Sequence, residues 1–169
     1  MDKFAKVKVV DKQDLVRVPI SSKDKPEIAS EFEEKWQELV DLAARIIGVP
    51  AGLIMRLFDQ KIEVFASSNT DNNPYEPGEK VDLGYGLYCE TVVGKRKGLL
   101  VPDALADEDW KDNPDVKLNM VSYYGVPIKW PDGEVFGTFC VLDNKENSYT
   151  EDQRTLLIKF KELVERDLD

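Results

Sequence analysis

The chain has 169 residues, 42% apolar and 33% charged, and a formal charge of −10. That length and balance suit one globular domain with a buried core, and the acidity opposes nucleic-acid binding, which needs clustered Lys and Arg. There is no histidine and there are only two cysteines, Cys89 and Cys140, which excludes His-ligated haem, the usual zinc sets, Ser-His or Cys-His nucleophiles and a disulfide framework.

The first 28 residues are polar and charged, with one apolar cluster at Val7, Val9 and Val10 and prolines at 19 and 26. They read as an arm preceding a domain over 29–169. Met1 to Val10 alternates Lys with apolar residues, which is not a signal peptide. No stretch approaches the roughly 20 apolar residues of a membrane span. Two unframed cysteines point to a reducing cytoplasm.

Ser30-x-x-Glu33 has the form of a capping box. Phe32, Trp36, Leu39, Val40, Ala43, Ile46 and Ile47 follow at helical spacing, and Gly48 and Pro50 end the helix. Ala51–Phe58 and Lys61–Ser67 read as strands turning at Asp59-Gln60. Residues 68–79 are rich in Asn, Pro, Gly and Asp and read as a long loop, with Ser67, Ser68 and Asn69 in turn roles. Gly86–Val93 reads as a short helix ended by Gly94. The basic run Lys95-Arg96-Lys97 is a solvated turn. Leu99–Pro102 is a short strand, and 107–118 is weakly helical and broken near Asn113-Pro114.

Two apolar runs, about 121–130 and 134–142, flank Trp130-Pro131-Asp132-Gly133. Pro fixes φ at the first turn position and Gly takes the positive φ that ends the turn, so the pair is a β-hairpin. Both arms are apolar at nearly every position, which predicts a hairpin covered on both faces at the centre of the sheet. Thr150-x-x-Gln153 caps a last helix carrying Leu156, Leu157, Phe160, Leu163, Val164 and Leu168. The order predicts an α+β domain with a mostly antiparallel sheet of five or six strands. The first and last helices share one face, and the segment of about 69–119 covers the other.

Gly84-Tyr-Gly-Leu-Tyr-Cys-Glu-Thr-Val-Val93, Leu100-Val-Pro-Asp103, Trp110-Lys-Asp-Asn-Pro-Asp115, Tyr124-Gly-Val-Pro-Ile128, Gly137-Thr-Phe-Cys-Val-Leu-Asp143 and Tyr149-Thr-Glu-Asp152 follow in that order. Over about 30–169 this order resembles the GAF domain family, a PAS-related fold. It most resembles the modules that accompany histidine-kinase, PAS and diguanylate-cyclase (GGDEF) domains in microbial signalling proteins. The resemblance implies a small-molecule sensor whose middle segment forms a pocket over the sheet. It also implies a homodimer through the terminal helices, which pass the signal to an output kinase or cyclase. No output module is present, so the expectation is an excised or a stand-alone sensor. The alternatives are a dimerising GAF scaffold that binds nothing small, and a free methionine-sulfoxide reductase.

The residues narrow the ligand. Bilin-carrying members usually attach the chromophore at a Cys followed by His, whereas Cys89 is followed by Glu90. Asn144-Lys145, Tyr149 and Glu151-Asp152 only loosely resemble the cyclic-nucleotide pattern and read as a turn and an acidic helix start. Cys89 lies where the reductases carry one of their cysteines, but Trp110 to Tyr124 contains none where a catalytic thiol is expected. No cofactor is implied, and the chain is read as a binding domain, not an enzyme.

Eight residues are candidate ligand contacts. Arg56 interrupts an apolar strand and either anchors a carboxylate or phosphate, pairs with an acidic neighbour, or reaches water. Tyr88, Cys89, Tyr123 and Tyr124 either line the pocket or fill the core, the aromatics offering apolar area with a polar tip. Asp103 orients a ligand or caps the next segment. Trp110 and Asp115 stand at the pocket edge in the lid segment.

Overall fold

The apolar stripe read at 30–47 forms α1 (Ser30–Ile47). Its C-terminus closes on Gly48, left-handed at φ 80°, whose N–H donates to Ala44 O. The expected capping box is absent: the N-cap is Ala29, with no side-chain bond, and Ser30 is already helical. Glu31 and Glu33 in the first turn complement the helix dipole instead. Trp36, Leu39, Val40, Ala43 and Ile47 are buried, while Ile46 is 61% exposed. The computed structural model describes residues 25–169; nearly all of the arm expected over 1–28 therefore lies outside the described residues. Within 25–28, Ile28 packs against the core and Lys25 pairs with Asp132 and Glu134 beside the Trp130 ring.

Strands β1 (Ala51–Phe58) and β2 (Lys61–Ser67) pair through Asp59 and Gln60, both at positive φ, as a two-residue hairpin turn requires. β3 (Lys80–Asp82) pairs with β2; its three exposed residues carry no alternation that would mark a strand. Helix α2 (Tyr88–Lys95) runs two residues past Val93 and ends at Arg96, left-handed at φ 58°, rather than at Gly94. β4 (Leu99–Val101) follows. The weak helix expected over 107–118 is a 3₁₀ turn at Pro114–Leu118, preceded by another at Ala104–Ala106. β5 (Ser122–Lys129) and β6 (Val135–Asp143) form the expected hairpin, and α3 (Glu151–Asp167) starts with both bonds of the Thr150/Gln153 capping box.

The six strands are antiparallel in the order β3-β2-β1-β6-β5-β4. The centre is thus β1 against β6, one strand over from the expected β5–β6 hairpin. The contact there is close: a Cβ on Gly137 would stand 1.8 Å from the Met55 carbonyl oxygen, so only glycine fits.

Side chains alternate across the sheet and build two cores. Ile54, Tyr124, Val126, Ile128, Phe139 and Val141 face α1 and α3. Leu53, Met55, Ile62, Val64, Tyr123, Cys140 and Leu142 face the middle segment. α1 and α3 lie antiparallel: Trp36 Nε1 donates to Asp167 at one end (2.8 Å), and Gln153 Nε2 to the Ile47 carbonyl at the other (3.5 Å). Terminal helices on one face and middle segment on the other is the α+β arrangement the sequence predicts.

Candidate functional site

The middle segment does not fill its side of the sheet. Between β1, β2, β5 and β6 below, and α2, residues 74–81 and the Pro114–Leu118 turn above, lies a cavity of about 310 Å³. This is the lower end of the range of ligand sites, roughly 300–1,000 Å³. Its floor is Leu53, Met55, Ile62, Val64, Tyr123, Cys140 and Leu142; its roof includes Tyr75, Leu87, Cys89, Asp115 and Leu118. Met55 is one wall and does not plug the space.

Local chemistry explains where each polar group stands. The end of β2 organises the loop above it. Ser68 Oγ accepts from Gly52 N (2.9 Å), Asn73 Nδ2 donates to Ser67 Oγ (2.7 Å) and Ser68 O (2.8 Å), and Ser67 Oγ donates to Tyr75 O (2.9 Å). The turn role read for Ser67 and Ser68 thus fixes the backbone that carries Tyr75 over the cavity. The Tyr75 hydroxyl donates to Asp115 Oδ1 (2.7 Å).

Asp115 is placed by Asn113, whose side chain caps the 3₁₀ turn by accepting from Asp115 N (2.9 Å). The second Asp115 oxygen accepts from Tyr88 N (3.3 Å), at the start of α2, where the helix dipole favours negative charge. Burial nevertheless dominates and pushes the Asp115 carboxyl up to about 6, against the lowering by its bonds to Tyr75 and Tyr88 N. Behind it Glu90, fully buried, accepts from Gly84 N (3.0 Å), Tyr85 N (3.3 Å) and Gly86 N (3.2 Å). Its carboxyl is also raised, chiefly by burial.

Tyr123 lies flat along β5, because Gly125 has no Cβ to hold its ring off; a Cβ there would stand 2.1 Å from the hydroxyl. Its ring stacks on Tyr88 (centroids 4.8 Å apart), and Tyr88 packs on Trp110 (5.3 Å). The Tyr88 hydroxyl donates to Met120 O (3.0 Å). The Tyr123 hydroxyl is buried with no oxygen or nitrogen partner, against the Cys140 thiol. Burial raises both thiols, Cys140 to about 12 and Cys89 well above its usual value.

The structure divides the eight candidates. Cys89, Asp115 and Tyr123 line the cavity, and Tyr88 and Trp110 form the aromatic stack behind it. Asp103 stands outside the lining, where it caps the Ala104–Ala106 turn by accepting from Leu105 N (3.1 Å). Arg56 and Tyr124 face the terminal helices. Neighbours on a strand point to opposite faces, so Tyr123 and Tyr124 cannot share a pocket, and Met55 rather than Arg56 faces the cavity. The Arg56 guanidinium pairs with Glu63, its cross-strand partner (Nε to Oε1 2.8 Å), and lies over Phe58 and Phe65. Tyr124 packs beside Tyr149. Tyr75 also lines the cavity and has one signal in the sequence, an aromatic in an otherwise polar loop.

A family model described as the GAF domain matches residues 29–164, and the chain belongs to this family of regulatory and sensing domains of signalling proteins. No curated protein matches the chain in sequence. Among solved structures, it is similar to the GAF domain of a phosphoenolpyruvate-protein phosphotransferase from Acinetobacter: 18% identity over 92% of this chain and 90% of that one, TM-score 0.66. It is similar to the type II free methionine-R-sulfoxide reductase of Thermoplasma acidophilum: 17% identity, 82% and 93% covered, TM-score 0.66. It is also similar to the blue-light-absorbing PixJ GAF domain of Thermosynechococcus elongatus: 12% identity, 81% and 86% covered, TM-score 0.66. At these identities the likeness is one of fold.

Proposed function

We propose that the chain is a ligand-sensing GAF domain that binds a small molecule in the cavity between the sheet and the middle segment. The observation that carries this reading is the cavity itself, about 310 Å³ in a molecule whose other face is filled by α1 and α3. Its roof hangs on one buried carboxylate, Asp115, which bonds both the Tyr75 loop and the start of α2. A ligand under that roof is positioned to shift both. The parent protein is a cytoplasmic signalling protein of the histidine-kinase or diguanylate-cyclase type, and the terminal helices carry the signal to its output domain. Two free thiols lining one cavity suit a reducing compartment.

The domain acts as a homodimer. The apolar stripes of α1 and α3 are largely spent on the sheet, so the partner contact falls to what they leave outside: Leu42, Ile46 and Ile158, 44%, 61% and 37% exposed. An exposed apolar group on a helix pair favours association.

The domain performs binding, not chemistry. A thiol reductase needs an accessible thiol of lowered pKa, and Cys89 and Cys140 are both buried and raised. A thermal-shift screen of amino acids, nucleotides, organic acids, amines and alcohols tests the sensing reading. A ligand of the folded form raises the unfolding midpoint; a scaffold that binds nothing small shows no shift with any compound.

A further inference from the structure

Resting on the ligand-sensing reading, we infer that the cavity selects a small neutral or cationic molecule, an apolar body bearing one hydroxyl or ammonium group, and rejects carboxylates and phosphates.

Two groups set this selectivity. Tyr123 lines the cavity, and its hydroxyl, buried beside the Cys140 thiol, has no oxygen or nitrogen partner. A thiol is a weak partner for a buried hydroxyl, so a ligand oxygen or nitrogen that reaches it gains a stronger bond. The second group is Asp115. A carboxylate offers about four lone-pair sites, and Tyr75 and Tyr88 N use two. The carboxylate can therefore accept from a ligand O–H or N–H as well, and in a low-dielectric site it attracts a cation.

The backbone N–H groups that would hold an anion are already occupied. The N–H at the start of α2 serves Asp115, and those of Gly84, Tyr85 and Gly86 serve Glu90. The protein's own carboxylates fill the places that helix starts and glycine loops otherwise offer to phosphates. Arg56, the strand-borne guanidinium, is across the sheet on Glu63. At the mouth the exposed Lys117 is offset by the exposed Glu79. Leu53, Met55, Val64, Leu87 and Leu142 supply the apolar walls. An anion would enter such a site beside the carboxyl groups of Asp115 and Glu90.

Three probes of one size and shape test the charge rule: 2-phenylethanol, 2-phenylethylammonium and phenylacetate. Each is titrated calorimetrically into the full chain in mildly alkaline buffer, where Asp115 is ionised. The alcohol and the ammonium are expected to bind more tightly than phenylacetate by about tenfold or more. Tyr123→Phe, which keeps the ring stack, is expected to weaken the alcohol by about fivefold. Asp115→Asn, which removes the charge, is expected to weaken the ammonium more than the alcohol. Phenylacetate binding as tightly as the other two overturns the charge rule while the cavity remains a binding site. If the probes bind but Tyr123→Phe and Asp115→Asn leave their order intact, the assigned residues are wrong and the inference falls. Silence from all three also overturns it, and the sensing reading then stands or falls on the wider thermal-shift screen.

Discussion

The Tyr75 hydroxyl reaches Asp115 Oδ1 over 2.7 Å and joins segments 40 residues apart across the roof of the cavity. With Tyr88 N on the other oxygen, the Asp115 carboxylate ties the loop, the 3₁₀ turn and α2 together. Three separate segments thus share one buried charge, and the state of that charge sets how firmly the roof is held.

Tyr75→Phe removes one of those ties and keeps the ring. A buried carboxylate left with an unmet bond costs about 1–3 kcal/mol, so urea unfolding should show a loss of that order. Hydrogen exchange should quicken around residues 73–79 and at the start of α2, with α1 and α3 unaffected. Unchanged stability and exchange would mean the bond is incidental.

Asp115 also predicts a pH dependence. Its carboxyl lies at about 6 instead of 3.8 because of burial, so between those values the folded chain holds a proton that the unfolded chain has released. Raising pH through that window removes the proton from the folded state and lowers stability. Asp115→Asn does not titrate. The stability of the variant minus that of the native chain should therefore rise from about pH 4 to 6 and level off above, by about 2–3 kcal/mol for a shift of about two units. The groups facing Asp115 are Tyr75 from the loop, Tyr88, Cys89 and Glu90 from α2, Tyr123 from β5 and Cys140 from β6. All are present in both chains, so their own titrations largely cancel in the difference. A flat difference contradicts the burial argument.

Gly137→Ala tests the sheet centre. Its Cβ would stand 1.8 Å from Met55 O and 3.0 Å from Arg56 Cα, both backbone atoms. Overpacking against backbone costs about 3 kcal/mol, and the chemical-denaturation midpoint should fall accordingly. A neutral result would show that β1 and β6 are spaced more widely than described.

Raised, buried thiols should be inert in the native chain. Cys89 and Cys140 should react with a disulfide reagent such as DTNB only at the rate of opening, and quickly in denaturant. Fast native labelling, or thiol-dependent turnover of methionine sulfoxide, would favour the reductase reading.

Ile46→Asp places a charge at the most exposed apolar position of α1. The native chain should show a concentration-dependent dimer by sedimentation, and the variant a monomer. A native monomer at every concentration removes the helix interface and leaves the cavity reading standing.

Periodicity made the scaffold legible. The stripe of α1, the capping box of α3 and the two apolar arms around Pro131-Asp132-Gly133 all report local preferences that the tertiary structure keeps. β3 escaped because three exposed residues carry no alternation, and the Ser30 cap failed because Ala29 already takes the N-cap. The site was half legible. Residue type flagged Asp115, Cys89 and Tyr123, but facing depends on register, and strict two-residue alternation separates Tyr123 from Tyr124 and Met55 from Arg56. Tyr75 is held over the cavity by bonds to Ser67 and Asn73 and by its hydroxyl on Asp115, 40 residues away, and that last contact no local pattern encodes.

The function proposed for this domain puts a small molecule in the space above β1 and β6. Its most direct test is calorimetric titration of the native chain with the compound that most raises its unfolding midpoint, repeated on Leu53→Trp, which fills the cavity floor, and on the milder Cys140→Leu, each checked for fold by circular dichroism. The account predicts saturable one-site binding to the native chain, weakened by Cys140→Leu and lost in Leu53→Trp. Equal binding to all three folded proteins would contradict it.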